Sequence, residues 1–237
     1  MTAQPSLQEI VERYKKLDSA LIYDTLDAMG LSAQQLDLEI KPLAINMVVA
    51  GPAFTSKWVV SEETKKVTSP RLEVRSNSYQ MLKEMTPGCV YIEDVGNDPV
   101  SGGLGENLGI SVKLAGATGV VCDGGTRDRK ALIAMGFPVF SRFSSCTFSW
   151  GRRRFIDYQI PIRLSGHVSK WVTVNPGTSS LGIATGSSSS RKISLLRSWK
   201  APRRWRRSRR ISGSASWPAK SASRSTRSTA TPTSAGS

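Results

Sequence analysis

The stretch from Gly105 to Arg129 reads GENLGISVKLAGATGVVCDGGTRDR and predicts a helix followed by a buried strand. The helix is expected to begin behind the glycines at Gly105 and to end at Leu114. Thr118–Cys122 has an unbroken apolar core, which is typical of a strand covered on both faces. A helix that leads directly into a buried strand indicates a protein of the α/β class.

Helices and strands also alternate on both sides of this stretch. We predict further helices at Ser6–Leu17, Ser19–Met29, Leu72–Glu84 and Arg127–Met135. The first of these has Ser6 as its N-cap and Glu9 three residues later, which is a capping-box arrangement. The predicted strands are Ile45–Ala50, Phe54–Val60, Cys89–Val95, Pro138–Phe140, Phe155–Leu164 and Val168–Val174.

Charge divides the 237 residues into two unequal parts. Residues 1–177 hold 20 basic and 18 acidic side chains, a net charge of +2, whereas the whole chain has a net charge of +15. Residues 178–237 hold 13 basic side chains, no acidic ones and 18 serines. Such a composition buries too little apolar surface to offset the entropy of ordering. We therefore predict a globular domain over residues 1–177 and a disordered basic tail over residues 178–237.

Composition excludes several classes of protein. Glu9 and Glu12 lie where a secretory signal would need an apolar segment, and no apolar stretch is long enough to span a bilayer. The three cysteines lack paired or metal-type spacing, which fits a reducing cytoplasm. The single histidine, His167, excludes a multi-histidine metal site and disfavours a Ser-His-Asp triad.

The glycines around Gly105 allow two interpretations. A glycine-rich turn between a strand and a helix superficially suggests nucleotide binding, but the spacing here is not GxGxxG. The alternative is a smaller anion site, because backbone amides are free at the start of a helix and suit a carboxylate. Glu106 at that position either complements the helix dipole or has a catalytic role.

The second candidate is the segment Asp123–Asp128, which directly follows the predicted strand. Ligands bind at the C-terminal ends of strands in open α/β sheets, and the two glycines would let the chain turn sharply there. An arginine such as Arg127 can grip a carboxylate with two donors, and Asp128 can hold a hydrated divalent cation. An ion pair at a helix start is the structural alternative. Together, a carboxylate clamp and a cation suggest chemistry on a 2-oxo acid.

Glu106, followed after twenty residues by Arg127-Asp128, resembles the signature of the RraA-like family. That family includes class II 4-hydroxy-4-methyl-2-oxoglutarate aldolases and regulators of ribonuclease E activity. The resemblance extends over about residues 15–177 and includes LIYDTLDAMG, VAGPAFT, MGFPVFSR and DYQIPIRL. It implies a compact α/β/β/α sandwich of the swivelling phosphohistidine-domain-like type. It also implies a homotrimer or hexamer with active sites between subunits.

The resemblance further implies a role for each matching residue. In the aldolases, the residue matching Asp128 binds Mg²⁺ or Mn²⁺, and the residue matching Arg127 holds the substrate and stabilises its enolate. The amides of Gly105, Glu106, Asn107 and Leu108 would bind the pyruvyl carboxylate. Glu106, where family members often have Asp, would orient a metal-bound water and assist proton transfer.

These roles predict a metal-dependent aldolase that releases pyruvate and also decarboxylates oxaloacetate. A Schiff-base route through Lys113 is disfavoured because that lysine is expected on a solvated helix face. The alternative function is a non-catalytic protein that binds and inhibits a ribonuclease.

The tail departs from the family pattern, which continues with an acidic strand–turn–strand and a Glu-rich helix. Codons exist for two stretches of the tail that, read one base out of register, encode sequences close to that pattern. We therefore infer a frameshift near Gly177, which the gene's nucleotide sequence would test. The alternative is a nucleic-acid-binding arm, since 13 cations and three tryptophans can contact phosphates and bases. On the frameshift hypothesis, nucleic acid binds only non-specifically.

Overall fold

The computed structural model describes residues 6–61, 73–184 and 191–196. Within these ranges, the helices are α1 (Leu7–Tyr14), α2 (Ser19–Ala28), α3 (Glu73–Glu84), α4 (Glu106–Leu114) and α5 (Arg129–Ala134). The strands of the first half are β1 (Lys41–Pro42), β2 (Val48–Val60), β3 (Val90–Asp94) and β4 (Gly102–Leu104). Those of the second half are β5 (Gly119–Thr126), β6 (Val139–Ser144), β7 (Arg153–Tyr158), β8 (Ile162–Ser165), β9 (Trp171–Val174), β10 (Ser179–Ala184) and β11 (Arg191–Leu196).

Nine of the described strands form one mixed sheet. Its central strands β2, β3, β5 and β6 are parallel, in the order β6-β5-β3-β2, and β4 pairs parallel with the end of β5. Strands β1, β7, β10 and β11 are antiparallel to their neighbours, and β8 and β9 form a separate pair. The predicted α/β class is confirmed.

The helices pack against the sheet through two clusters of buried side chains. Val49 packs into the larger core cluster, which includes side chains of α3, α4 and α5. Its neighbour Ala50 belongs to a second cluster with Val11 of α1 and Ile22 and Leu26 of α2. Successive residues of a strand point to opposite faces, so α1 and α2 pack on the face of β2 that is opposite to the Val49 side chain.

Local sequence signals explain the N-terminal helices. The Ser6 hydroxyl accepts from the Glu9 amide, and the Glu9 carboxylate accepts from the Ser6 amide, so the predicted capping box is present. Asp18 caps α2 through the amide of Ala20. Both helices begin within one residue of the position expected from the sequence.

Several element boundaries differ from the sequence-based expectation, and three of the differences change how the strands are described. β2 is one continuous strand, because its two halves pair in turn with β10 and β7 along the same edge. The expected strand over Phe155–Leu164 is split into β7 and β8, where Gln159 has a left-handed φ of 53°. β5 continues through Gly124 and Gly125, which were expected to form a sharp turn. These glycines are instead packed tightly: a Cβ on Gly125 would overlap the Phe143 ring.

The structure also differs from the expectation of a disordered tail from residue 178 onward. Ser179–Ala184 pairs antiparallel with β2, and Arg191–Leu196 pairs with Ser179–Ala184. Sheet pairing requires only an extended backbone with free amides and carbonyls, so two apolar-containing segments can join it despite the Ser-rich composition. Residues 185–190 and 197–237 of the predicted tail lie outside the described residues.

None of the helices in the described ranges is long and apolar enough to cross a membrane.

Candidate active site

Arg127 and Asp128 lie where β5 ends, beside the start of α4. The amide of Arg127 donates to the carbonyl of Leu104 at 2.7 Å, directly after β4 pairs with the last residues of β5. Since Gly105 follows Leu104 and occupies the N-cap position of α4, this pairing brings the two predicted segments together. The juxtaposition is a product of the sheet, because the two segments are more than twenty residues apart in sequence.

Asp128 has a conformation that is uncommon for a residue with a side chain. Its φ is 53°, in the left-handed region, where aspartate and asparagine are the non-glycine residues best tolerated. It is the N-cap of α5, yet its side chain does not cap that helix. Its Oδ2 instead accepts from the amide of Glu106 at 3.1 Å, so the carboxylate is held at the start of α4.

Gly105 is required by this close approach. A Cβ at position 105 would lie 2.7 Å from Oδ2 of Asp128, well inside normal contact distance. As the N-cap of α4, Gly105 has no side chain to cap the helix, and the Asp128 carboxylate from another element takes that place. The Asp128 carboxylate is still 42% exposed and can bind a further partner.

The start of α4 has the free amides that the sequence predicted for a carboxylate. The first amides of a helix have no intrahelical acceptor. The amide of Glu106 is already used by Asp128, which leaves those of Asn107 and Leu108 for an anion. The Glu106 side chain lies in the first turn and is exposed. The substrate contact expected for the Glu106 amide stays a prediction.

The guanidinium of Arg127 stands between Asp128 and an aromatic ring. Its Nη2 is 3.9 Å from Oδ2 of Asp128, and its Cζ lies over the ring of Phe148, 4.7 Å from the centroid. The side chain is 30% exposed and donates no hydrogen bond to any described residue. Its N–H donors are thus available to a carboxylate ligand.

The donor set at this site suits a hydrated divalent cation. No cluster of three or more His, Cys, Asp or Glu side chains able to hold a metal occurs in the part of the chain that the structure describes. Mg²⁺ keeps several waters and is commonly bound through only one or two protein carboxylates. The half-exposed carboxylate of Asp128, with one oxygen fixed by an amide, fits that requirement.

A buried ion pair supports the segment that leads into the site, and sequence reasoning missed it. Nε of Arg153 donates to Oδ2 of Asp98 at 2.5 Å, and Nη2 of Arg153 donates to the Ser101 carbonyl at 2.6 Å. Both side chains are less than 5% exposed. The only sequence signal was a run of three arginines at 152–154, which does not distinguish the buried one.

Asp98 is held strongly in its charged form. Burial raises the pKa of Asp98, but hydrogen bonds from Ser101, Arg153 and the amides of Val100 and Ser101 outweigh burial and lower the pKa to about 2. In a second buried contact, the Cys122 thiol donates to the Glu93 carboxylate at 3.1 Å, and burial raises the pKa of both groups. Since Glu93 and Cys122 are fully enclosed, neither can contact a substrate.

Comparison with known proteins gives consistent matches. The family model of the RraA-like proteins, described as Aldolase/RraA, matches residues 19–182. A Halalkalibacterium halodurans protein named "Putative 4-hydroxy-4-methyl-2-oxoglutarate aldolase" is 29% identical over 179 residues, covering 75% of this chain and 74% of its own.

Solved structures share the fold. A crystal structure described as one of novel cellulases from gut-associated microbes has a TM-score of 0.70 at 26% identity, covering 83% of this chain and 81% of its own. Streptomyces coelicolor RraAS2, described as an unusual member of the RNase ES inhibitor RraA family, has a TM-score of 0.64 at 20% identity. It covers 83% of this chain and 88% of its own, and at this identity it shows the fold alone.

Proposed function

The chain belongs to the RraA-like family, and from this membership we propose that it is a metal-dependent lyase that cleaves 4-hydroxy-4-methyl-2-oxoglutarate-type 2-oxo acids to pyruvate. One observation carries the proposal. Arg127 and the Asp128 carboxylate, which follow β5, meet the first turn of α4, although α4 begins more than twenty residues earlier in the sequence.

The first role of the site is to hold the 2-oxo acid by its carboxylate. The amides of Asn107 and Leu108 offer two donors at the positive end of the α4 dipole. Close to Asp128, the planar guanidinium of Arg127 has N–H donors that no described residue uses and that can bind a carboxylate in two places. A 2-oxo carboxylate bound in this way would place its oxo group toward Asp128.

Asp128 would hold the metal, Mg²⁺ or Mn²⁺. A bound divalent cation would supply a Lewis acid that draws electron density from the 2-oxo oxygen. Asp128 can perform this role because its backbone conformation and the Glu106 amide fix one oxygen and leave the carboxylate partly exposed. Gly105 keeps the space that this carboxylate needs.

Bond cleavage requires a base and a place for the electrons. Glu106, exposed in the first turn of α4, would take the proton of the 4-hydroxyl group. The C3–C4 bond then breaks, and C4 becomes a carbonyl carbon. The electron pair of the broken bond goes to C3 and forms the enolate of pyruvate. Transfer of the proton from Glu106 to C3 of the enolate would give the second product, pyruvate, and restore the base. Loss of CO₂ from oxaloacetate would form the same enolate, and we therefore propose a decarboxylase side activity.

Arg127 would stabilise the enolate. Its planar guanidinium needs no rearrangement as negative charge develops on the substrate. Assembly as a homotrimer or hexamer and a cytoplasmic location are part of the same proposal.

Pyruvate release with and without EDTA tests the proposed function. We expect turnover of oxaloacetate or 4-hydroxy-4-methyl-2-oxoglutarate with Mg²⁺, above the rate of Mg²⁺ alone, and its loss when EDTA is added. Arg127→Ala and Asp128→Ala should each lower kcat/KM by about 100-fold or more, because each removes a charge placed at the reacting group.

Lys130→Ala provides the matched control, since Lys130 is an exposed cation on α5. It should retain wild-type turnover, and circular dichroism should show that all three variants are folded. Full activity in the Arg127→Ala or Asp128→Ala variant would contradict the proposal. An inert wild-type protein that binds a ribonuclease would instead support the regulatory alternative.

A further inference from the structure

Phe148 is an exposed aromatic side chain with a specific neighbour. About half of its surface is exposed (52%), although a phenylalanine gains stability from burial. Its ring lies 4.7 Å from Cζ of Arg127, within the range of a cation–π contact. The exposed ring therefore contacts Arg127, the residue that we propose binds the carboxylate of the substrate.

Backbone contacts fix the segment that carries Phe148 against the site. Phe148 forms a bridge with Gly102, whose amide donates to the carbonyl of Thr147 at 2.9 Å. Just before it, the amide of Ser145 donates to the carbonyl of Thr126, also at 2.9 Å. The Ser145 hydroxyl donates to the carbonyl of Val100 at 2.8 Å. Phe148 is thus attached to both strands that form the site, β4 and β5.

The geometry of a guanidinium explains why a ring is a useful support. All five N–H donors of arginine lie in the plane of the group, whereas an aromatic ring attracts the cation through its face. A carboxylate or carbonyl neighbour would hold the arginine by using the donors that a substrate needs. A ring holds it without using any of them, which agrees with the absence of a hydrogen bond from the Arg127 guanidinium to described residues.

We propose that Phe148 is a positioning residue that holds Arg127 in its carboxylate-binding orientation through the ring face. Gly102 contributes to the same arrangement, because a side chain there would overlap the stem of Arg127. The ligand class is a small carboxylate, and the proposal rests on the proposed function of Arg127.

Binding of oxalate in the presence of Mg²⁺, measured by calorimetry, tests this role independently of turnover. Phe148→Leu removes the ring and keeps an apolar side chain, so we expect oxalate affinity to fall by about 3- to 10-fold. Phe148→Tyr keeps the ring and should retain wild-type affinity. With substrate, Phe148→Leu should raise KM more than it lowers kcat, because the arginine remains present but less well oriented.

Two further variants separate positioning from general damage. Trp171→Leu removes another exposed ring that contacts a cation, Lys170, and should leave oxalate affinity unchanged. In an Arg127→Ala background, Phe148→Leu should have no further effect on affinity.

The inference is overturned if wild-type protein does not bind oxalate, if Phe148→Leu binds it as well as wild type, or if Phe148→Leu weakens binding equally without Arg127. Oxalate binding that depends on Phe148, in a protein that releases no pyruvate, would support this inference while contradicting the proposed function.

Discussion

At the scale of single residues, Asp128 and Gly105 depend on each other. The left-handed backbone of Asp128 turns its carboxylate away from its own helix, α5, and toward α4. A residue in that conformation costs free energy that the surrounding structure must offset, and such residues are concentrated at functional sites. Gly105 leaves room for this carboxylate, so the position of the Asp128 side chain explains why residue 105 is a glycine.

Gly105→Ala is expected to lower turnover of the folded protein by about tenfold or more. The new methyl group would lie 2.7 Å from Oδ2 of Asp128 and would displace the carboxylate. The measurement is kcat/KM for pyruvate release, together with the thermal midpoint of unfolding.

Gly109→Ala is the matched control on the same helix. Its methyl group would lie 2.6 Å from the Leu132 side chain, in the core rather than at the site. Both variants should lose stability, but only Gly105→Ala should lose most of its activity. Equal losses of activity in the two variants would contradict the role given to Gly105.

At the scale of elements, the Arg153–Asp98 pair joins β7 to the segment that leads into β4. Asp98 also accepts from the amides of Val100 and Ser101, so one carboxylate organises the turn before Gly102. Nη1 of Arg153 is buried without a hydrogen-bond partner in the described ranges and lies against Gly103. Removing either partner would leave a buried charge uncompensated, which is strongly destabilising.

Acid should weaken this connection in a defined pH range. The pKa of Asp98 is about 2 in the folded protein and 3.8 ordinarily, so its stabilising effect is present above about pH 4 and is lost as pH falls toward 2. The difference corresponds to about 2 kcal/mol of free energy of unfolding. Urea denaturation of wild type and Asp98→Asn from pH 6 to pH 2 measures it.

Asp98→Asn should be the less stable protein at pH 6, and the gap should narrow below pH 4. Comparing the two proteins removes the contribution of Glu93, whose raised pKa acts in the opposite direction and is common to both. A gap that stays constant down to pH 2 would show that the Asp98 charge does not stabilise the fold.

At the scale of the whole molecule, a strongly basic segment follows the part of the chain that the structure describes. The described residues end at Leu196, and residues 197–237 hold 11 of the 33 basic side chains and no acidic ones. A chain with this excess of cations attracts polyanions by releasing their counterions, whatever the origin of the segment. We therefore expect RNA binding that does not depend on RNA sequence.

A variant that ends at Leu196 should lose this RNA binding and keep the pyruvate-releasing activity. For the full chain, affinity for a mixed-sequence RNA should fall by about tenfold or more between 50 and 200 mM salt. Filter binding at several salt concentrations measures the effect. A full-length variant with those 11 residues changed to Gln should behave like the shortened one. RNA binding by the full chain that does not change with salt would contradict the proposal that charge drives the binding. So would RNA binding by either variant that is as strong as that of the full chain.

Much of the fold could be predicted from local patterns, but the pairings could not. The capping box of α1 and the apolar run of β5 are short-range signals, and both predictions are confirmed. The strands β10 and β11 were missed. β10 pairs with β2, whose backbone groups are more than a hundred residues away in the sequence, and β11 pairs in turn with β10. Gly124 and Gly125 of β5 were expected to form a turn, but tertiary packing explains them: a Cβ would overlap Val95 at position 124 and the Phe143 ring at position 125.

For the candidate site, the sequence by itself determined which residue types were available: an arginine beside an aspartate after a buried strand, and a glycine before a helix that begins with Glu106. Only the tertiary structure decided that they meet, that Asp128 uses the Glu106 amide, and that Phe148 supports Arg127. The physical reason is that the type of each side chain is written in the sequence, whereas the distances between the side chains depend on backbone pairing. Here the parallel pairing of β4 with β5, and the backbone hydrogen bonds that attach the Phe148 segment to both strands, bring these side chains together.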